Sequence, residues 1–318
     1  MAAVKWLRDL GRLRIIRGVT KPAAHAAFAS LPRAALADVA QLMRPRLMKL
    51  GLAVTAISYA VARPEPFDAL HLVWVLSGTG LALGAASAFN QILERDVDAR
   101  MRRTADRPLP AGRMTMGQAL WYACIMATLG LAMLALRAPV AAVTAAAGLV
   151  IYVGVYTPLK RVNALATIIG AVPGAVPVLI GWAAAVGSLS AAAWRLFLIL
   201  FLWQLPHFLA IGWMYRADYL RAGLRMMPAE AADERATVRQ VVLWTLALVS
   251  ASTLPAVAGD AGPLYFAAAM GLGLVFLRSA FGLARQRTPL AARQLFKASV
   301  LYLPLLLGAL VLDALVGG

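Results

Sequence analysis

Long apolar runs without an acidic or basic residue recur along the whole 318-residue chain. A transmembrane helix needs about 20 apolar residues, with a range of about 17–25, and most of the runs have that length. They are residues 50–62, 69–93, 114–136, 138–159, 162–194, 196–215, 240–259, 261–277 and 298–312. Because 162–194 is too long for one helix, it predicts a helix over about 164–184 and then an outer loop at Gly187–Ser190. The pattern predicts an all-α, polytopic membrane protein with about nine transmembrane helices.

The basic residues give these predicted spans an orientation. If the N-terminus is cytoplasmic and the chain crosses nine times, only Arg63, Arg137 and Arg195 of the 31 lysines and arginines lie outside. Cytoplasmic loops of membrane proteins carry an excess of Lys and Arg, so this asymmetry supports the count and the orientation together. We therefore predict a multi-pass protein of the bacterial inner (plasma) membrane, with its C-terminus outside.

The composition fits a membrane domain and excludes two classes of soluble protein. Hydrophobic residues make up 62% of the chain and charged residues 14%, and the mean hydropathy is +0.75, whereas soluble domains are about 45–50% apolar and about 25% charged. A net charge of +17 does not indicate a nucleic-acid partner, because nucleic-acid grooves lie on polar scaffolds. A single cysteine, Cys124, and three histidines exclude a disulfide framework and a zinc site of histidines alone.

Two regions of different composition follow one another along the chain. Residues 1–47 are a basic segment without the apolar core of a secretory signal, and residues 48–318 form the predicted membrane domain. Within the first segment, apolar residues from Trp6 to Leu13 recur at helical spacing between basic residues. This pattern is typical of a helix that lies on an anionic lipid surface, and a disordered tail is the alternative.

Acidic residues are scarce, and four of the 14 gather at the predicted cytoplasmic end of the second span: Glu94, Asp96, Asp98 and Asp106. The spacing i, i+4, i+8 places Asn90, Glu94 and Asp98 on one face of a helix. Because like charges on one face repel each other, we expect a cation between them. A few hard oxygen ligands, with room for water and phosphate, indicate Mg²⁺.

Basic residues next to these acids predict an anionic substrate. Arg103 and Arg107 follow the acids, and guanidinium groups match phosphate oxygens in pairs. Carboxylates for Mg²⁺ beside arginines for phosphate indicate a diphosphate; the alternative is a solvated loop with its own salt bridges. Lys160 and Arg161, at the end of the fourth span, either contact phosphate as well or merely flank the membrane.

A second polar group interrupts the sixth apolar run. Gln204 and His207 lie three residues apart on one helix face, with Pro206 between them. A proline in a membrane helix is tolerated where protein lines a cavity, so both side chains are predicted to face one. A buried histidine that only bonds to a neighbour is the alternative.

Three segments together resemble the protoheme IX farnesyltransferases (haem O synthases) of the UbiA-type intramembrane prenyltransferase superfamily. The first matches the family pattern at Asn90, Asp96, Asp98, Met101, Arg103, Thr104, Arg107, Pro108 and Leu109. The second matches at Tyr156, Thr157, Leu159, Lys160, Arg161, Gly170, Ala171, Gly174, Ala175 and Pro177. The third matches at Trp203, Gln204, Pro206, His207, Phe208, Asp218, Tyr219, Ala222, Gly223, Met226 and Pro228. The chain departs from the pattern at Glu94, where the family more often has Asp.

The resemblance implies an activity and roles for these residues. The reaction would transfer a farnesyl group from farnesyl diphosphate to the 2-vinyl group of haem B, with addition of water, giving haem O and diphosphate for haem A and terminal oxidase biogenesis. Mg²⁺ would be the cofactor, held at a cytoplasmic-facing site by Asn90, Glu94 and Asp98, with Asp96 as a further candidate. Diphosphate would be held by Arg103, Arg107, Lys160 and Arg161. Tyr156 would shield the farnesyl cation, and the remaining substrate-binding residues would be Gln204, His207 and Asp218.

Some alternatives stay open at this stage. His207 would either ligate the haem iron or donate a hydrogen bond. A prenyltransferase for a quinone or chlorophyll precursor is opposed by the third segment, where Ala222 replaces the second aspartate of the D-x3-D pattern that such enzymes carry. A transporter is opposed by polar groups that gather at one face without an inverted repeat. The downstream haem A synthase is a candidate partner for residues 1–47.

Overall fold

The computed structural model describes residues 36–62, 66–160, 165–221 and 234–316. These ranges fold into twelve helices and contain no strand. The short helices are α1 (Leu36–Met43), α4 (Arg95–Asp98) and α9 (Arg216–Arg221). The long helices are α2 (Pro45–Val61), α3 (Ala69–Leu93), α5 (Met116–Arg137), α6 (Pro139–Leu159), α7 (Ala166–Val186), α8 (Ala191–Met214), α10 (Glu234–Val257), α11 (Pro263–Gln286) and α12 (Pro289–Val316).

Eight helices of the described chain are long and apolar enough to cross a membrane: α3, α5, α6, α7, α8, α10, α11 and α12. The prediction of an all-α, polytopic membrane protein is therefore confirmed. The first predicted span corresponds to α2, which has 17 residues and includes Arg46 and Lys49. Its crossing stays a prediction, as do the count of nine and the orientation in the membrane. The proposed surface helix around Trp6–Leu13 lies outside the described residues.

Several helices extend beyond the charge-free runs from which the spans were predicted. Helix α8 begins at Ala191 instead of residue 196, α11 continues to Gln286 instead of 277, and α12 begins at Pro289 instead of 298. Basic side chains at helix ends can reach the interface while their stems stay apolar, so a charge does not end the helix. The predicted loop at Gly187–Ser190 is confirmed, since Gly187 ends α7 with a φ of 71°.

Helix α7 is the centre of the bundle, and 72% of its apolar stretch is buried. It packs closely on α2 because Gly181 has no side chain: a Cβ there would lie 2.2 Å from the carbonyl oxygen of Thr55. Next to this contact, Ser58 Oγ donates to the carbonyl oxygen of Val178 at 2.7 Å. Small residues and interhelical hydrogen bonds are the usual means of helix association in lipid.

Two polar contacts at the start of α11 connect it to α12 and to α8. Asp313, near the end of α12, accepts hydrogen bonds from the backbone N–H groups of Gly262 and Tyr265 at the start of α11. A carboxylate at this position satisfies N–H groups that have no partner within the helix. Arg195 of α8 pairs with Asp260, in the turn before α11, at 2.5 Å.

Helix α1 is anchored to the end of the bundle formed by the C-terminal ends of α3, α6 and α8, which we call the polar end. Arg113 donates to Asp38 Oδ1 at 2.8 Å and to Gln41 Oε1 at 2.9 Å. Arg44 then connects α1 to α2 with a φ of 53°. The predicted boundary between residues 47 and 48 falls inside α2, and the division into two regions stays a prediction.

Candidate active site

A cavity of about 450 Å³ opens between the long helices and reaches the polar end. Its inner walls are apolar and come from α2, α3, α6, α7 and α8. Nine of the residues predicted from the sequence line it: Asn90, Glu94, Asp98, Arg103, Arg107, Tyr156, Lys160, Gln204 and His207. The structure therefore brings together groups that are up to 117 positions apart.

The amide and the two carboxylates come from the end of α3 and from α4. The chain was expected to continue as one helix here, but α3 ends at Leu93 and Glu94 has φ −102° and ψ 7°. Backbone bonds of the helical type nevertheless run from Glu94 N–H to Asn90 O at 2.9 Å and from Asp98 N–H to Glu94 O at 2.7 Å. Since this i→i−4 pattern persists across the break, all three side chains still face the cavity.

Each of the two carboxylates is buried and paired with a cation. Glu94 is 6% exposed and Asp98 is 1% exposed. Lys160 Nζ lies 2.6 Å from Glu94 Oε1, and Arg107 Nη1 lies 2.5 Å from Asp98 Oδ2. Asn90 links them to a further group, because its amide donates to Glu94 and its Oδ1 accepts from the Tyr152 hydroxyl at 2.8 Å.

Burial controls the protonation of the pair Asp98–Arg107. It raises the pKa of the Asp98 carboxyl above its ordinary value, although Arg107 opposes this shift by charge and by hydrogen bond. Burial lowers the pKa of the Arg107 guanidinium, and the neighbouring positive charge of Arg44 lowers it further. Both shifts have the same main cause, because burial disfavours the charged form of each group.

The loop after α4 is folded back onto Asp98. Thr104 Oγ1 donates to the Asp98 carbonyl oxygen at 2.9 Å, and the Arg107 N–H donates to Thr104 O at 3.1 Å. Arg103 lies over the ring of Tyr215, with its guanidinium carbon 5.7 Å from the ring centroid. Both arginines are thereby held at the mouth of the cavity, where the sequence predicted a phosphate-binding group.

Helix α6 and the residue that follows it contribute three side chains at intervals of four positions: Tyr152, Tyr156 and Lys160. The helix contains a π-helical turn over Ile151–Tyr156, just before Pro158, which lacks the N–H group that would continue a helical hydrogen-bond ladder. The Lys160 ammonium lies 4.5 Å from the centroid of the Tyr156 ring. The Tyr156 ring therefore presents an aromatic face to positive charge next to the charged end of the cavity.

Two glycines on α7 make room for side chains of the cavity wall. A Cβ at Gly170 would lie 2.4 Å from the Tyr156 ring, and Gly174 leaves the space into which Gln204 extends. Gln204 Nε2 donates to Ala171 O at 3.2 Å and to Leu200 O at 3.1 Å. The spacing of these glycines therefore has a steric function.

Some predicted site residues lie outside the cavity, and two polar residues that line it were not predicted from the sequence. Asp96 is exposed, and neither Asp96 nor Asp218 is among the described residues that line the cavity. Arg161 lies outside the described residues. The missed residues are Arg44 and Tyr152; a signal for Arg44 was its place in a basic stretch just before the first predicted span.

The donor set at the polar end fits Mg²⁺ by its chemistry. The described residues contain no group of three or more His, Cys, Asp or Glu side chains that could hold a metal. Asn90, Glu94 and Asp98 provide one amide and two carboxylates along one wall of the cavity. One or two carboxylates are the usual protein contribution to Mg²⁺ sites that are completed by substrate phosphates and water.

Fold and site together define a class of protein: a membrane-embedded helical bundle that encloses an apolar cavity with a charged end. Residues 51–303 match the profile of the UbiA prenyltransferase family. This match covers well over half of the chain, so the chain belongs to the UbiA prenyltransferase family.

Two similar proteins support the same family assignment. The chain is 42% identical over 290 residues to "Protoheme IX farnesyltransferase" of Solibacter usitatus (strain Ellin6076), covering 87% of this chain and 98% of the relative. It is 43% identical over 302 residues to the protein of the same name from Opitutus terrae (strain DSM 11246 / JCM 15787 / PB90-1), covering 93% of this chain and 98% of the relative.

Solved structures share the fold at low identity. A digeranylgeranylglyceryl phosphate synthase structure superposes with a TM-score of 0.75 at 17% identity, covering 88% of this chain and 98% of that chain. A UbiA homolog from Archaeoglobus fulgidus, bound to GPP and Mg²⁺, superposes with a TM-score of 0.65 at 15% identity, covering 86% of this chain and 99% of that chain.

Proposed function

We propose that this chain transfers the farnesyl group of farnesyl diphosphate to the 2-vinyl group of haem B, giving haem O and diphosphate. The C–O bond to the diphosphate breaks, a C–C bond forms to the terminal vinyl carbon, and water adds to the adjacent carbon with loss of a proton. One observation carries the proposal: a single apolar cavity ends in two buried carboxylates and their cations. Its support is the identity of about 40% to the named relatives over most of the chain.

The charged end of the cavity suits the diphosphate. Allylic ionisation requires neutralisation of the charge that develops on the leaving group, and fixed cations in a site without water provide it effectively. Arg103, Arg107 and Lys160 line this end, and Arg161 is included from the sequence. Lys160 and Arg107 now neutralise Glu94 and Asp98, so the metal would take over the carboxylates and the diphosphate would take over the two cations.

Mg²⁺ would be held by Asn90, Glu94 and Asp98. When bound, it supplies positive charge to the phosphate oxygens and so lowers the barrier to ionisation. The support is the donor chemistry of the three side chains, and GPP and Mg²⁺ in a solved structure of the same fold. Asp96, which is exposed, has less support as a ligand.

The apolar part of the cavity would keep the farnesyl cation from water until the new bond forms. Tyr156 faces the cavity next to the charged end, and its ring already contacts the Lys160 ammonium. A ring in this position would stabilise an allylic cation by about 0.5–2 kcal/mol. The long apolar walls would also accommodate the isoprenoid chain and the porphyrin faces.

The haem would bind deeper in the cavity, along α8. His207 and Gln204 line this part, seven and ten residues before the last residue of α8. At 1.5 Å per residue, they lie about 10 and 15 Å from the end of the helix, which separates the porphyrin from the diphosphate. Asp218, in α9, is included as a substrate-binding residue from the sequence alone.

The cellular setting follows from the same proposal. The chain would lie among lipids of the bacterial inner membrane, with the N-terminus and the charged end of the cavity on the cytoplasmic side and the C-terminus outside. The excess of basic residues in the predicted cytoplasmic loops supports this orientation. The downstream haem A synthase would be a partner, since it consumes haem O.

Mass spectrometry of haems tests the reaction. A host without endogenous haem O should accumulate haem O when it expresses this chain, and much less when it expresses the Asp98→Asn variant at the same membrane level. Purified chain given farnesyl diphosphate and haem B should release diphosphate and haem O in equal amounts. A farnesylated quinone precursor in place of haem O would refute the proposal in favour of the rival prenyltransferase.

A further inference from the structure

The inner part of the cavity contains one imidazole, and a serine from another helix holds it. His207 Nδ1 lies 2.8 Å from the Oγ atom of Ser299, on α12. Ser299 is fully buried, and its Oγ donates to the carbonyl oxygen of Phe296 at 2.6 Å.

These two contacts favour one position for the proton on the His207 ring. A serine hydroxyl has one hydrogen to donate and can accept through its lone pairs. The Phe296 carbonyl oxygen, which can only accept, lies within hydrogen-bond distance of Ser299 Oγ. In the arrangement that satisfies both contacts, Ser299 donates to Phe296 and accepts from His207 Nδ1. In the neutral ring, Nε2 therefore keeps a free lone pair.

Ser299 also holds the ring indirectly through Trp203. The Trp203 indole N–H donates to the Ser299 carbonyl oxygen at 2.7 Å. The indole stacks on the imidazole, with a centroid distance of 5.0 Å and an interplanar angle of 22°. The Phe296 ring lies at 5.0 Å from the imidazole as well. One residue of α12 thus constrains the proton position and the orientation of His207.

We infer that Ser299 is a positioning residue that presents His207 Nε2 as a neutral ligand to the iron of haem. His207 lines the cavity, and a histidine that ligates a metal through one nitrogen usually donates its other N–H to a fixed acceptor, which sets the tautomer and the ring orientation. The serine hydroxyl is such an acceptor. The identity of the ligand rests on the proposed function, whereas the two contacts of Ser299 are observed independently of it.

Haem binding to the full-length chain, without farnesyl diphosphate, tests this inference. Purified chain in detergent is titrated with ferrous haem B, and resonance Raman spectra are recorded for the iron–histidine stretching mode. The wild-type complex should show this mode, and His207→Ala should lose it. Ser299→Ala should keep the mode at a lower frequency, because a lost acceptor makes the imidazole a weaker donor to iron, and should weaken haem binding about tenfold.

Three further variants separate positioning from packing. Ser299→Thr retains a hydroxyl and should restore the frequency and affinity, while Ser299→Cys, a weaker acceptor, should give an intermediate frequency. Ser252→Ala removes an equally buried serine, which accepts a hydrogen bond from Tyr302 at 2.8 Å and does not line the cavity; it should match the wild type. If Ser299→Ala does not fold, the Thr and Cys variants carry the comparison.

The outcomes distinguish this inference from the proposed function. A wild-type complex without the iron–histidine mode, or a frequency and affinity unchanged in Ser299→Ala and Ser299→Cys, would overturn the inference even if haem O is formed. An iron–histidine mode that responds to Ser299 in a protein that makes no haem O would support the inference and refute the proposed reaction.

Discussion

Gln204 occupies the space in which a side chain at Gly174 would lie: a Cβ at position 174 would be 1.9 Å from Gln204 Oε1 and 2.8 Å from its Cδ. The glycine on α7 and the amide on α8 therefore define one another's position. Because the amide also donates to two backbone carbonyl oxygens, it cannot move away without losing both hydrogen bonds.

Gly174→Ala should consequently reduce haem O formation without unfolding the protein. Displacing the buried amide leaves polar groups unpaired, which costs about 1–3 kcal/mol of stability. If the amide orients the haem, the rate of haem O formation should fall about tenfold. Gly308→Ala is the matched control, since a Cβ at that helical glycine meets nothing within 4 Å. Haem O is measured by chromatography; equal rates for both variants would show that Gln204 has no part in substrate binding.

The buried pair Glu94–Lys160 should behave differently in single and double variants. Glu94→Gln or Lys160→Met alone leaves an unpaired buried charge, which costs about 3–5 kcal/mol of stability. The double variant should regain most of that stability but remain inactive, because both proposed ligands are gone. Thermal unfolding in detergent measures the effect.

An exposed ion pair provides the control for this experiment. Glu234 lies 3.4 Å from Arg216, and its side chain is 48% exposed, so Glu234→Gln should change stability by less than about 1 kcal/mol. Single variants of Glu94 and Lys160 that are as stable as Glu234→Gln would contradict a buried, coupled pair.

The proposed Mg²⁺ ligands predict a specific change in metal requirement. Asn90→Ala and Asp98→Asn should each raise the Mg²⁺ concentration for half-maximal rate at least about tenfold, equivalent to ~1.4 kcal/mol. Asp106→Asn is the control, because Asp106 is 94% exposed and pairs with Arg113. An unchanged requirement in Asp98→Asn, or an equal increase in the variant of the exposed Asp96, would refute the assignment.

The raised pKa of Asp98 predicts how metal binding depends on pH. The carboxylate binds metal and the carboxylic acid does not, so affinity is complete above the pKa and falls as the pH decreases through it. Since burial raises this pKa, the midpoint of the loss should lie above the ordinary aspartate value of about 3.9. Mn²⁺ as a paramagnetic substitute allows binding to be followed by electron paramagnetic resonance without turnover.

Arg107→Gln should move this transition to still higher pH. Arg107 lowers the pKa of Asp98 by its charge and by a hydrogen bond, and the variant removes both. An affinity for Mn²⁺ that stays constant down to about pH 4 in the wild-type protein would contradict a raised pKa.

Much of the site could be predicted from the sequence because its acidic residues are close together in the chain and have helical spacing. Asn90, Glu94 and Asp98 are four residues apart, so any helical turn brings them to one side. Acidic residues are rare in this apolar chain, and burying one costs free energy, so a cluster of them indicates a functional site. The exact helix limits were not predictable from charge-free runs, because basic residues such as Arg195 lie within the helices.

The residues that sequence reasoning missed depend on tertiary packing. Arg44 lines the cavity because the junction of α1 and α2 has a positive φ, a conformation that no feature of an arginine predicts. Tyr152 of α6 donates to Asn90 of α3 and lies within a π-helical turn, which apolar periodicity does not reveal. Ser299 lies in an apolar run 92 positions from His207, so its partnership could not be predicted from spacing.

The ring of Tyr156 leads to a prediction about the farnesyl cation. Its face contacts the Lys160 ammonium at 4.5 Å, and the same face would stabilise positive charge on the allylic carbon after ionisation. Tyr156→Phe keeps the ring and should retain most of the rate. Tyr156→Leu keeps only apolar bulk and should lower kcat by about tenfold, within the 0.5–2 kcal/mol of a cation–π contact, while KM for farnesyl diphosphate changes little. Steady-state kinetics with both substrates measures this difference.

Because Gly170 leaves just enough space for the Tyr156 ring, Gly170→Ala should displace the ring and lower kcat as Tyr156→Leu does. Equal kcat values for the Phe and Leu variants would show that the ring shapes the cavity without stabilising the cation.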